Sequence, residues 1–172
     1  MITLWYRPPE LLLGEERYGP SIDVWSIGCI LGELFAKKPL FQVGTKLKLN
    51  SCMITIRQTT STVKLSNLGL FFAVIKLFAS QANEDFQQLM VISRLCGTPC
   101  PANWPKVIHL PGFANLKPKK QHRRKVREDF VHLMPSSALD LLDKMLSLDP
   151  DKRISSTDAL KCDWLKDVEP DK

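Results

Sequence analysis

The chain has 172 residues, long enough for one domain with a real core, and its 44% hydrophobic and 24% charged residues are a globular mixture that excludes disordered and fibrous classes. Its net charge of +6 invites a nucleic-acid partner, but Val43 to Gln81 carries Lys46, Lys48, Arg57, Lys64 and Lys76 with no acid, and the remainder is close to neutral. No direct nucleic-acid partner and no membrane span are expected: Leu68 to Phe78 is apolar but interrupted by Lys76, well short of the roughly 20 residues a spanning helix needs, and no charged-then-apolar leader opens the chain.

The elements follow in order. Leu4 to Gly19 reads as extended chain and turns, because Pro8 and Pro9 bias their predecessors away from the helical region. Glu10 to Leu13 suits a short helix ended by Gly14. Ser21 is a candidate N-cap for a helix to about Ala36, apolar on most faces through Ile22, Trp25, Cys29, Leu31, Leu34 and Phe35, and so expected to be buried. Asn83 with Glu84 and Asp85 starts another, to about Cys96, with Phe86, Leu89, Met90 and Ile92 inward and Gly97-Thr98-Pro99 as its stop. Pro101 to Arg127 reads as loop anchored by Trp104, Ile108, Leu110 and Phe113. Ser137 and Asp140 have capping-box spacing ahead of Leu139, Leu142, Met145 and Leu146. Ser155 and Asp158 have it again, ahead of a last helix with Ala159, Leu160 and Trp164 as its buried face. The expected fold class is mainly α, with no sheet.

The five cysteines (Cys29, Cys52, Cys96, Cys100, Cys162) are irregularly spaced and complete no zinc set, so no metal is expected; free thiols of a reducing compartment fit better.

Three motifs carry a resemblance. They are Leu4-Trp5-Tyr6-Arg7-Pro8-Pro9-Glu10, Ser21-Ile22-Asp23-Val24-Trp25-Ser26-Ile27-Gly28-Cys29, and Asp149-Pro150 followed by Lys152-Arg153. In this order they resemble the C-terminal lobe of eukaryotic serine/threonine protein kinases, over Met1 to Gln42 and Ala82 to about Val168. Ile2-Thr3-Leu4-Trp5-Tyr6-Arg7 is similar to the cyclin-dependent kinases. Lys117 to Glu128 and the ending Asp167-Val168-Glu169-Pro170 look like the transcriptional branch, the group of cyclin-dependent kinases twelve and thirteen. That resemblance implies a nuclear enzyme that binds a cyclin of the cyclin K type. It would use ATP and magnesium to phosphorylate serines in the C-terminal domain of RNA polymerase II.

Site residues follow from the resemblance. Residues matching Met1, Ile2, Leu4, Trp5 and Arg7 shape the pocket behind the phosphoacceptor. The arginine matching Arg7 occupies a backbone carbonyl that the next substrate residue's N–H would otherwise use, so proline, which has no N–H, binds without penalty. Core packing explains Leu4, Trp5 and Tyr6 equally well. Thr3 matches a threonine that bonds the catalytic aspartate and lysine. Glu10 and Arg153 match a structural ion pair, and Asp23 matches the aspartate that anchors the catalytic loop. The basic run Lys117 to Arg127 is readable as a contact for an acidic partner or as a solvated loop.

Two departures qualify the resemblance. The sequence holds no glycine-rich loop, strand lysine, His-Arg-Asp loop or Asp-Phe-Gly motif, and Met1 stands where the family usually has valine or isoleucine. No catalytic, ATP-binding or metal-binding residue is therefore assigned, and the chain alone is expected to be inactive, as a kinase fragment, a non-catalytic decoy module or a gene-model artefact. Joining Gln42 to Ala82 runs smoothly in the family pattern. The stretch 43–81 is thus an insertion: a retained intron (a valine codon begins GT, a glutamine codon can end AG) or a lineage-specific loop, cheap in closure entropy. The expected organisation is 1–42, the insertion 43–81, the remainder of the lobe over 82–168 and a tail over 169–172.

Overall fold

The computed structural model describes residues 4–43, 84–114 and 120–166. Apart from Val43 the insertion lies outside them, as do Met1, Ile2, Thr3, Asn83 and the tail 169–172. Six α-helices are described, α1 (Pro9–Leu12), α2 (Ser21–Ala36), α3 (84–96), α4 (Val126–Phe130), α5 (Ser136–Met145) and α6 (Ser156–Leu160), with 3-10 turns at Leu4–Tyr6 and Pro105–His109. No strand occurs among the described residues, and no described helix is long and apolar enough to cross a membrane.

Helix α2 is the axis. Its Trp25 and Cys29 are fully buried and meet Leu89, Ile92 and Cys96 of α3 and Leu139 and Leu142 of α5 in one core. Val24 faces a second, smaller core with Leu141, Met145 and Ala159. The close approach of α2 to α5 depends on Gly28, where an added Cβ would lie 2.8 Å from Met145 Cβ. Helix α3 stops at Gly97, whose φ of +90° only glycine adopts cheaply and whose N–H donates to the Ser93 carbonyl. The chain then returns past that end, with Thr98 N–H bonded to His122 O and Lys125 N–H to Leu95 O.

Several sequence expectations shift by a residue or reverse. Helix α2 begins at Ser21 itself, with Pro20 at the cap position and no side-chain cap. Helix α5 begins at Ser136 behind Pro135, so Ser137 lies inside the helix and the Ser137–Asp140 box does not form; Asp140 pairs with Arg127 at 2.7 Å instead. Ser155 does cap α6, accepting from Asp158 N–H at 3.1 Å. Leu160, expected inside, is 69% exposed; a helix this short turns only one face, held by Ala159, inward. Ile108 is exposed and its neighbour Val107 is buried in its place, because the 3-10 turn rotates the register. Helix α2 is not buried all round: Ile27, Ile30 and Leu34 form an exposed apolar stripe at helical spacing.

Two outcomes test this packing. Gly28→Ala should lower stability by about 1–3 kcal/mol, because the atom it meets is a fixed Cβ; an unchanged urea midpoint contradicts the contact. Burial pushes the Cys29 thiol well up and the Cys96 thiol to about 12, whereas Cys100 and Cys162 are partly exposed. At pH 8 a thiol reagent followed by peptide mapping should label Cys100 and Cys162 rapidly, and Cys29 and Cys96 only as the protein unfolds.

Candidate functional site

The Leu4 to Glu10 segment is tied down at its Glu10 end and in the middle. The strongest tie is at Glu10, in the first turn of α1. Arg153 sits after the Asp149-Pro150 turn and donates from Nη1 to Glu10 Oε1 at 2.7 Å and from Nη2 to Oε2 at 2.9 Å. The two side chains are 0% and 1% exposed. The other N–H groups of Arg153 reach Ser147 O at 3.1 Å, Ser21 O at 2.8 Å and Leu148 O at 3.5 Å. The guanidinium also lies 5.1 Å from the centre of the Trp25 ring, which stacks on Phe41. Every face of this buried cation is therefore satisfied, as burial of a charge requires.

Tyr6 and Arg7 supply the middle ties. The Tyr6 hydroxyl donates to Glu33 Oε2 of α2 at 3.1 Å, and the Tyr6 carbonyl accepts from Ser26 Oγ at 3.1 Å. Desolvation and then the Glu33 carboxylate hold the Tyr6 phenol above its usual range, so it stays a donor. Arg7 donates from Nη1 to Asp85 Oδ1 at 3.3 Å, at the start of α3. Desolvation raises the Asp85 carboxyl above its ordinary value, against the opposing pull of Arg7. Leu4 and Trp5 are half-buried within the 3-10 turn that Arg7 N–H closes on Leu4 O at 3.0 Å.

The remaining candidates separate from this group. Asp23 is exposed in the first turn of α2, and its carboxylate meets no donor among the described residues. Met1, Ile2 and Thr3 lie outside the described residues. In the basic run, Lys117 to Lys119 also lie outside them, and the arginines that follow are engaged by acids. Arg123 makes a two-point pair with Glu128, Arg124 bonds the Asp143 side chain and the carbonyls of Asp143 and Leu146, and Arg127 pairs with Asp140 and Asp143. This part of the run is a structural brace. No group of His, Cys, Asp or Glu able to hold a metal ion occurs among the described residues.

Sequence reasoning did not single out Glu33, Ser26 or Asp85 as partners of the segment, nor Arg124 as a second clamp. Pairs such as Arg7 and Asp85, 78 residues apart, leave no local pattern to read.

A helical lobe built round one buried helix, with an Arg–Glu pair joining its first and last segments, defines the lower lobe of a protein kinase. The protein kinase domain model matches residues 1–165, and the chain belongs to that family. It is similar to cyclin-dependent kinase 12 of Drosophila melanogaster, with 54% identity over 171 residues that cover 99% of this chain and 11% of that protein. Cyclin-dependent kinase 12 of Caenorhabditis elegans is 44% identical over 98% of this chain and 18% of its own length, and cyclin-dependent kinase 9 of Rattus norvegicus 36% identical over 95% and 34%. Among solved structures, the yeast RNA Pol II CTD kinase CTDK-1 complex matches with a TM-score of 0.70 and 31% identity, over 99% of this chain and 44% of that one. The chain spans less than half the length of each.

Removing one partner of the buried pair should be severe. Arg153→Ala should lower stability by about 3–5 kcal/mol, since Glu10 is left charged and buried. Arg153→Lys should recover little of it, because an ammonium cannot reproduce the two-point fork. Equal urea midpoints for wild type and Arg153→Ala contradict the assignment.

Proposed function

We propose that this chain is the lower-lobe part of a cyclin-dependent, proline-directed serine/threonine kinase that phosphorylates the C-terminal domain of RNA polymerase II in the nucleus. The observation that carries the proposal is the anchored Leu4 to Glu10 segment. In the family it forms the wall behind the phosphoacceptor, and here each of its ties comes from a different part of the lobe. The similarity to a CTD kinase complex and to cyclin-dependent kinase 12 supports the substrate class and a cyclin partner, and the cyclin K type is what the sequence resemblance implies.

Under this proposal Met1, Ile2, Thr3, Leu4, Trp5 and Arg7 form the substrate wall, Glu10 and Arg153 hold it, and Asp23 anchors the catalytic loop. The residues that bind ATP and magnesium in the family have no counterpart among these 172. No phosphoryl-transfer step is assigned to residues of this chain. A second reading has its own support: the ties on Tyr6, Arg7 and Glu10 come from Glu33, Asp85 and Arg153 of the lobe itself. A module that recognises substrate without transferring phosphate would have this construction.

The purified 172-residue chain, given magnesium-ATP and a Ser-Pro heptad peptide, should transfer no phosphate. The complete protein with its cyclin should phosphorylate the same peptide and discriminate against a Ser-Ala version. Transfer by the 172-residue chain contradicts the inactivity, and indifference of the complete protein to the proline contradicts the substrate assignment.

A further inference from the structure

The substrate wall leaves one mechanical question, which is what aims Arg7. Its backbone is fixed by the N–H bond to Leu4 O, so the open freedom is in its long side chain. An arginine has several rotatable bonds, and pointing it at one place costs entropy unless something grips it. The contact recorded for its guanidinium is Asp85 Oδ1, and both side chains are largely covered, at 26% and 19% exposure.

Asp85 is placed at some cost to itself. Burial disfavours its charge, the neighbouring Glu84 adds to that, and Arg7 opposes both. The carboxylate sits at the start of α3, where the helix dipole also favours it. The pair joins the recognition segment to α3. A neutral residue at position 85 would leave α3 intact and Arg7 free to swing.

We propose that Asp85 is a positioning residue for proline selection: by gripping Arg7 from α3 it fixes the guanidinium that denies a partner to the N–H of any residue other than proline behind the phosphoacceptor. This rests on the substrate-wall assignment proposed above. Asp85 touches no reacting atom. Its effect is confined to the choice between proline and other residues, and phosphoryl transfer to a Ser-Pro site proceeds without it.

The test measures kcat/KM of the complete protein on a Ser-Pro heptad peptide and its Ser-Ala counterpart, for wild type, Asp85→Asn, Asp85→Glu and Arg7→Ala. Where turnover is undetectable, the same ratio is read from the two Kd values. Asp85→Asn should reduce the Pro-over-Ala ratio roughly three- to tenfold, mainly by improving the Ser-Ala peptide. Asp85→Glu should restore most of it, and Arg7→Ala should abolish it. A merely structural loss lowers both peptides together and leaves the ratio unmoved, which overturns the proposal. If Arg7→Ala removes the preference and Asp85→Asn does not, the Asp85 role fails and the substrate wall stands. If Arg7→Ala leaves the preference intact, or wild type has none, both fall.

Discussion

The Arg153 guanidinium is the constraint on which the rest depends. It joins Glu10 near the start of the described chain to Ser147 and Leu148 after α5 and to the Ser21 carbonyl at the head of α2. Its position under Trp25 puts it against the core. A buried cation is costly to desolvate and is tolerable only when its donors are matched. Here each donor has an acceptor, and the acceptors come from three parts of the chain. The geometry that satisfies Arg153 is thus the geometry of the lobe.

The recognition segment inherits its position from that clamp. Glu10 fixes α1, and α1 fixes the residues before it through Pro8 and Pro9, whose restricted backbone transmits direction with little slack. The Tyr6 and Arg7 ties then set rotation about that direction, one from α2 and one from α3. The Arg124 clamp does comparable work, holding the segment that returns past α3 against the last turn of α5. Under the proposed function these ties matter because they set where the Arg7 guanidinium stands.

The helices α2, α3, α5 and α6 were legible because their apolar periodicity and stop signals are local. The failures were also local. Ser137 and Asp140 had the spacing of a capping box, but the helix starts at Ser136 behind Pro135, and Asp140 pairs with Arg127 instead. Helix α4 starts at the end of the basic run and is too short for periodicity to show it. Uniform apolarity made α2 look buried all round, whereas pattern alone cannot say which face a neighbour covers, and Ile27, Ile30 and Leu34 stay exposed. Of the site, Glu10 and Arg153 could be named only through motif resemblance, since nothing near either residue points to the other. Asp85, Glu33 and Ser26 had no such signal, because their partners are set by the packing of whole helices.

The central claim is that Arg153 holds the recognition segment in place from the far end of the chain. Native-state hydrogen exchange on Leu12, Leu13, Gly14 and Glu15, whose amides bond carbonyls between Pro8 and Leu11, tests it most directly. In wild type these amides should be protected like those of the α5 core, and in Arg153→Lys they should exchange much faster than α5 does in the same variant. Loss of protection in step across both regions, or none at all, would contradict a clamp specific to this segment.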